Sequence, residues 1–185
     1  LPGLERLSAQ QYSLSASGMQ GLLGMTALRA LHLPEESPFS QRHAFEAIPE
    51  SLDDLELDLR GRFPALPGLA NSHPGMRRLC LTLGAEEFAP VESLPPRLQS
   101  LLIVFATSPD RDMLLPALRS LEAGHLVELR ICTTRFPIEV QLGLLAELCP
   151  CIHTLELGVR PHPDNPDRAC DLRDPGALAQ MPQLR

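Results

Sequence analysis

One eight-residue stretch, residues 52–59, carries the pattern of apolar and charged positions around which the chain is organised. Leucines stand at its first, fourth, sixth and eighth positions, and acidic residues fill the positions between them. From Leu55 onward apolar and charged residues alternate strictly, which is typical of a β-strand with one buried face. The stretch therefore predicts a strand whose leucines point into a core.

The same pattern returns along the whole sequence. Its copies begin at Leu4, Leu28, Leu52, Met76, Leu98, Leu126, Ile152 and Leu184. The successive intervals are 24, 24, 24, 22, 28, 26 and 32 residues. A strand motif that recurs at this spacing predicts a solenoid, in which each repeat buries its apolar face only against its neighbours. We therefore expect a single repeat array over residues 1–185, with about seven repeats and the start of an eighth.

The segments between the predicted strands are less regular. Apolar residues at helical spacing predict short helices over residues 17–26, 40–48, 110–123 and 137–149, and a last helix that begins at Pro175. In the fourth of these helices, Pro137 is expected at the first helical position, which favours proline. Proline and glycine predict irregular connections over residues 61–75 and 84–97 and an extended loop over residues 160–174.

Proline also marks the repeats. It stands two residues before the first apolar residue of five copies, at Pro2, Pro74, Pro96, Pro150 and Pro182. A proline there ends the preceding helix and favours an extended start to the strand. Its recurrence at one phase supports the repeat register independently of leucine.

Seven copies of the pattern Leu-x-x-Leu-x-Leu and the beginning of an eighth make this chain resemble a leucine-rich repeat protein. The resemblance implies an α/β solenoid with a curved parallel sheet on the concave face and short helices and loops on the convex face. The irregular repeat lengths resemble the intracellular classes found in ribonuclease inhibitors and F-box receptors.

The chain departs from that family at motif position 9, where asparagine or cysteine is usual. The residues found there are Glu36, Arg60, Gly84, Ala106, Thr134 and Arg160. Position 8 is instead often apolar, at Leu59, Leu83, Phe105 and Val159. We therefore expect strands that extend by one further residue, with looser turns after them.

Composition and charge narrow the class of partner. Sixteen basic and 23 acidic residues give a net charge of −7, which disfavours direct nucleic-acid binding but leaves it open within a larger assembly. The five cysteines are odd in number and fit no disulfide framework. This favours a reducing, intracellular compartment, with the cytoplasm as the first expectation and an organelle still open.

No apolar run approaches the ~20 residues that a membrane-spanning helix needs, so no membrane partner is expected. The sequence begins inside the repeat pattern without a methionine and stops one step into the eighth copy. We therefore expect residues 1–185 to be part of a longer chain.

Strand side chains alternate, so motif positions 3, 5 and 7 face away from the leucines and position 2 lies at the edge. Parallel stacking in register places equal positions side by side, about 4.8 Å apart. The acidic residues of the third repeat then lie between arginines of its neighbours, either as a bipolar patch for a charged partner or as a ladder that neutralises itself. The predicted partner-binding residues are Arg29, His32, Asp53, Asp54, Glu56, Asp58, Arg77, Arg78, Leu102, Val104, Glu128, Arg130 and Glu156.

Further along this face the predicted outward positions become apolar, at Leu102, Val104 and Val127 beside Cys132. An exposed apolar strip often marks an interaction site. The alternative is a contact with a domain that lies outside this sequence.

Residues that could carry chemistry are few. Residues 149–153 read Cys-Pro-Cys-Ile-His and offer three metal-binding groups, but no second ligand pair completes a structural zinc signature, so we expect no metal. The sequence holds no phosphate-binding glycine loop, no Gly-x-Ser-x-Gly and no His-Glu-x-x-His. No catalytic residue and no cofactor are predicted.

The sequence therefore favours a non-enzymatic scaffold that binds a protein through its concave sheet and flanking loops. The first alternative is a substrate receptor of a ubiquitin ligase, which the F-box resemblance implies and which an F-box-like segment before Leu1 would favour. The second is a structural subunit of a large assembly such as a ribonucleoprotein or an axoneme, which would purify with a whole particle.

Overall fold

The computed structural model describes residues 3–9, 16–33, 48–59, 69–83, 94–105, 118–121, 124–133, 139–159, 171–173 and 175–184. The strands are β1 (Arg6–Ser8), β2 (Ala30–Leu33), β3 (Asp54–Leu59), β4 (Arg78–Leu83), β5 (Ser100–Phe105), β6 (Glu128–Thr133), β7 (Glu139–Gln141), β8 (Thr154–Val159) and β9 (Asp171–Arg173). The helices are α1 (Ala16–Leu23), α2 (Leu69–Ser72), α3 (Leu142–Leu148) and a 3-10 helix (Pro175–Gln180).

Seven of these strands form one all-parallel sheet in the order β1-β2-β3-β4-β5-β6-β8. Strands from successive copies of the sequence motif are therefore neighbours, and equal motif positions are paired. Leu31, Leu55, Leu79, Leu101, Leu129 and Leu155, for example, stand side by side across six strands. The register predicted from the sequence is confirmed.

The predicted extension of the strands is also confirmed. In β3, β4, β5 and β8 the strand continues through motif position 8, at Leu59, Leu83, Phe105 and Val159. An apolar residue there continues the alternation by one step, and Leu83 and Phe105 are buried.

Most strands are preceded by the same turn, in which the amide of motif position 1 donates to the carbonyl three residues earlier. This bond is found from Leu28, Leu52, Met76, Leu98, Ile152 and Leu184 to Met25, Pro49, His73, Pro95, Cys149 and Met181, respectively. Four of the recurrent prolines occupy the second residue of this turn, where a fixed φ near −65° is favoured. The turn explains why these prolines stand two residues before motif position 1. Pro2 lies outside the described residues.

The carbonyl at motif position 2 joins each repeat to the next. The oxygen of Arg29, for instance, accepts hydrogen bonds from the amides of Asp53 at 2.9 Å and Asp54 at 3.0 Å. The same shared acceptor recurs at Glu5, Asp53, Arg77, Gln99 and Val127. Because two amides converge on one oxygen, each strand begins at a fixed position against its neighbour.

The core is a continuous aliphatic layer behind the sheet. Position 4 and position 6 leucines such as Leu55, Leu57 and Leu81 are fully buried. The segments outside the strands contribute Leu22, Leu69, Leu118 and Leu142 to the same cluster. The leucines of successive repeats therefore pack as one layer.

The segments between strands agree only in part with the sequence. Helix α1 confirms the helix predicted over residues 17–26, although it ends at Leu23, before Gly24. The last predicted helix is present as a 3-10 helix, Pro175–Gln180. The prediction of an irregular connection over residues 61–75 misses α2, a single turn whose Leu69 is buried.

The helix predicted over residues 137–149 is wrong in its first half. The short strand β7 occupies Glu139–Gln141, and α3 begins only at Leu142, so Pro137 is not at its first position. Strand β7 pairs in parallel with β9, which lies inside the predicted extended loop of residues 160–174. This pairing joins residues that are far apart in sequence, so the local spacing of apolar residues does not predict it.

Other predicted segments fall outside the described residues. They are residues 40–47 and 110–117 of two predicted helices, residues 61–68 and 84–93 of two predicted irregular connections, and residues 160–170 of the predicted loop. Among the helices that the structure describes, none has the length and hydropathy needed to cross a membrane.

His73 is an almost fully buried polar residue at the junction of two repeats, with 2% of its surface exposed. Its Nε2 donates to the carbonyl oxygen of Pro49 at 3.1 Å, and its Nδ1 lies 2.8 Å from the hydroxyl oxygen of Ser72. Burial lowers the pKa of His73; the backbone hydrogen bonds to Pro49 and Ile48 and the charge of Glu50 oppose that shift. Burial therefore favours the neutral imidazole.

A truncation in the middle of the sheet should destabilise the whole chain. Leu81 lies on the fourth of seven strands and is fully buried, so Leu81→Ala should lower the free energy of unfolding by about 2–5 kcal/mol in urea denaturation. Leu23 is 51% exposed, and Leu23→Ala is the control, expected to change stability by no more than about 0.5 kcal/mol. Equal effects of the two substitutions would contradict a core behind the sheet.

His73 should make stability depend on pH. Its pKa is lower in the folded chain than in the unfolded chain, so the unfolded chain binds more protons once the pH falls below about 6.5. The free energy of unfolding should therefore decrease between pH 7.5 and pH 5. His73→Gln should be less stable than the natural chain at pH 7.5 and should lose this part of the pH dependence. An unchanged pH profile in His73→Gln would show that another group causes it.

Candidate functional site

The side of the sheet opposite the leucine core carries most of the charged strand residues. We call this side the polar face and define it by motif positions 3 and 5 of β2 to β6 and β8. Its residues are Ala30, His32, Asp54, Glu56, Arg78, Cys80, Ser100, Leu102, Glu128, Arg130, Thr154 and Glu156. The strand register arranges them in two rows that cross the sheet.

The acidic end of the polar face is largely engaged with its own repeat neighbours. His32 Nδ1 lies 3.5 Å from Glu56 Oε2. Beside the row, Arg29 Nη1 lies 3.9 Å from Asp53 Oδ2 and donates to the carbonyl oxygen of Ser51 at 3.0 Å. The side chains of Arg29, Asp53 and Glu56 are about half exposed and that of His32 about a quarter, so each pair is worth little in stability. Asp58 lies in β3, and its side chain is outside what the structure describes.

A second cluster lies across β5, β6 and β8. Glu128 Oε2 accepts a hydrogen bond from Ser100 Oγ at 2.7 Å, and Glu128 Oε1 lies 2.6 Å from Arg130 Nη2. Arg130 also reaches Glu156, with Nε 3.4 Å from Oε2. The hydrogen bond from Ser100 is the main reason that the pKa of Glu128 lies below its usual value; Arg130 and Arg78 lower it further, and desolvation opposes them. Both carboxylate oxygens of Glu128 are thus occupied.

Between the two clusters lie Arg77 and Arg78, at the start of β4. Both are exposed, and neither forms an ion pair with any residue that the structure describes. Asp54 is the register partner of Arg78, and it too has no ion pair within the described part of the chain. The predicted charge ladder is therefore confirmed in register, but Asp54 and Arg78 do not close it with an ion pair.

The predicted apolar strip needs a correction. Val104 is 1% exposed and Cys132 is 7% exposed, so neither belongs to an open surface. Residues 103–105 and 131–133 are buried without interruption, which means that the carboxyl ends of β5 and β6 are covered on both faces. Alternation assigns a residue to a face, and it does not say whether that face is covered. Leu102 stays half-buried, and Val127 is 39% exposed.

The predicted partner-binding residues included neither Ser100 nor Val127, although Val127 belonged to the predicted apolar strip. Ser100 orients Glu128, and the available signal was its register position between Arg78 and Glu128. Val127 occupies motif position 2, in the same place on its repeat as Arg77 and Gln99. Its side chain is therefore near the arginines although 50 residues separate it from Arg77 in sequence.

The three possible metal ligands of residues 149–153 do not form a centre. Cys149 is buried, and burial raises the pKa of its thiol to about 11. His153 places Nδ1 2.9 Å from the carbonyl oxygen of Cys151. Nowhere in the described part of the chain do three His, Cys, Asp or Glu side chains come together as metal ligands.

The sequence matches neither a protein-family model nor a curated protein.

Two pairs of charged residues on the polar face should differ in a double-mutant cycle. Glu128→Gln with Arg130→Gln should show a coupling of roughly 0.5–1 kcal/mol in urea denaturation, because the two groups are in direct contact. Asp54→Asn with Arg78→Gln should show less than about 0.3 kcal/mol, because their side chains do not meet. A coupling for Asp54 and Arg78 that equals the first would mean that they form an ion pair in solution.

Proposed function

We propose that this chain is a leucine-rich repeat solenoid that binds a protein partner through its polar face and catalyses no reaction. The solenoid is supported by the sequential order of the seven parallel strands and by the pairing of equal motif positions. A repeated strand of this kind leaves one sheet face free of helices, and such faces commonly bind other proteins.

The observation that carries the binding proposal is the uneven neutralisation of charge on the polar face. Its two ends contain ion pairs, while Arg77, Arg78 and Asp54 are left between them without one in the described chain. Half-buried Leu102 and exposed Val127 lie close to these charges. A surface that combines unpaired charges with accessible apolar side chains is suited to protein recognition.

The proposed location is intracellular. Cys149 and Cys151 are free thiols, and Cys151 is only partly covered. Free thiols of this kind persist in a reducing compartment.

Site-specific photocrosslinking tests the binding proposal. A photoreactive phenylalanine in place of Leu102, in cells that express the chain naturally, should yield discrete protein adducts on irradiation. The matched control carries the same residue in place of Arg119, which is exposed and lies outside the sheet strands. Adducts should be several-fold more abundant from position 102 than from position 119.

Two results would contradict this proposal. Adducts formed only from position 119 would place the binding surface outside the polar face. Adducts at position 102 that disappear on nuclease treatment would identify a nucleic acid instead of a protein.

A further inference from the structure

The arginine pair at the start of β4 indicates which chemistry the partner presents. Arg77 and Arg78 are adjacent, exposed and without an ion pair in the described chain. Two of the carboxylates around them are engaged elsewhere, since Asp53 faces Arg29 and Glu128 is held by Ser100 and Arg130, and Asp54, the register partner of Arg78, forms no ion pair with it. Two guanidinium groups are therefore available to an anion from outside, and they offer the donor geometry that a carboxylate accepts.

The surroundings of the pair limit the size of that anion. Asp54 pairs in register with Arg78, one strand from it, and Glu128 lies two strands away on the other side. At about 4.8 Å for each strand, carboxylates lie within roughly 5–10 Å of Arg78 in both directions across the sheet. An extended polyanion such as RNA would meet these like charges as it left the arginines. A single acidic side chain would not.

An apolar contact lies at a defined distance from the pair. Arg77, Gln99 and Val127 occupy the same motif position on β4, β5 and β6 and are connected by backbone hydrogen bonds from Gln99 to Arg77 and from Val127 to Gln99, each 2.8 Å long. Val127 is thus two strands, or about 10 Å, from Arg77. Val127 is 39% exposed and, with Leu23, is one of two exposed large apolar residues in the described part of the chain.

From this arrangement we infer that the polar face binds an extended acidic segment of a partner protein. The segment crosses the strands, with an Asp or Glu carboxylate on Arg77 and Arg78 and an apolar side chain on Val127. Residues i and i+3 of a polyproline II chain face the same way and lie about 9 Å apart, which fits this spacing. The inferred motif is an acidic residue and an apolar residue three positions apart. This inference rests on the proposed function.

Peptide display tests the inferred motif. A phage library of random 12-residue peptides is selected against the 185-residue chain and, separately, against Arg77→Glu/Arg78→Glu. Peptides selected by the natural chain should be enriched in Asp or Glu three positions from Leu, Ile, Val or Phe. The double variant should lose this preference, and a selected peptide should bind it roughly ten- to hundredfold more weakly, since charge-assisted hydrogen bonds are lost.

Matched variants separate a local effect from a change of fold. Arg119→Glu makes one such charge reversal outside the strands and should leave peptide affinity within about twofold. Val127→Asp should weaken binding without changing the preference for an acidic residue. Circular dichroism of each variant confirms that it is folded. Affinity for the selected peptide should also fall as salt is raised from 0.05 to 0.5 M, by the same screening.

The outcomes distinguish this inference from the proposal on which it rests. Selected peptides that lack acidic residues but prevent crosslinking of the partner at position 102 would overturn the inference. They would leave the polar face as a protein-binding surface. The absence of any selected peptide, together with a failure of the crosslinking experiment, would overturn both. If the peptide binds much more tightly when phosphoserine replaces its acidic residue, the assignment to a carboxylate is overturned. If a 12-nucleotide single-stranded RNA binds in preference to the peptide, the assignment to a protein is overturned.

Discussion

The hydrogen bonds that the carbonyl oxygen of motif position 2 accepts are the constraint on which the rest of this structure depends. In each repeat one carbonyl oxygen accepts from two amides of the next repeat, at Arg29, Asp53 and Arg77 among others. This shared acceptor fixes where each strand begins, and the register of all later residues in the strand follows from it. A shift by one residue would move the leucines to the open face and the charges into the core. The aliphatic layer and the polar face are therefore two consequences of one backbone arrangement.

This dependence explains how much of the fold could be predicted from the sequence. The alternation from Leu55 to Leu59 reports which face is buried, and the spacing between copies reports which strands are neighbours, so the sheet and its register could be predicted. Strand β7 could not, because its pairing with β9 joins residues 139–141 to residues 171–173 and leaves no local period. The proline pattern was visible, but its position within a turn needed the hydrogen bond between His73 and Met76 and its equivalents.

The candidate site shows a sharper limit. The sequence placed Asp54 beside Arg78 correctly, but lateral register alone does not determine which ion pairs form. Glu128 is held by Ser100 and Arg130, and the long side chain of Arg130 reaches both along its own strand and across to Glu156. Which ion pairs form depends on side-chain rotamers and on competing donors. The alternation of apolar and polar residues along a strand predicts neither. The burial of Val104 has a similar cause, because cover over the carboxyl ends of β5 and β6 comes from elsewhere in the chain.

The distribution of charge on the polar face has a further physical consequence. Ion pairs between exposed groups contribute little to stability, so the pairs at the two ends of the face are not what holds the sheet together. The stability resides in the leucine layer, which leaves the outward positions free to vary in charge at small energetic cost. Under the proposed function, an arginine pair with carboxylates on both sides would select the partner. It would attract one anionic group, while the acidic neighbours and the net charge of −7 would repel larger anions. Specificity on such a surface comes from the repulsive elements as much as from the attractive ones.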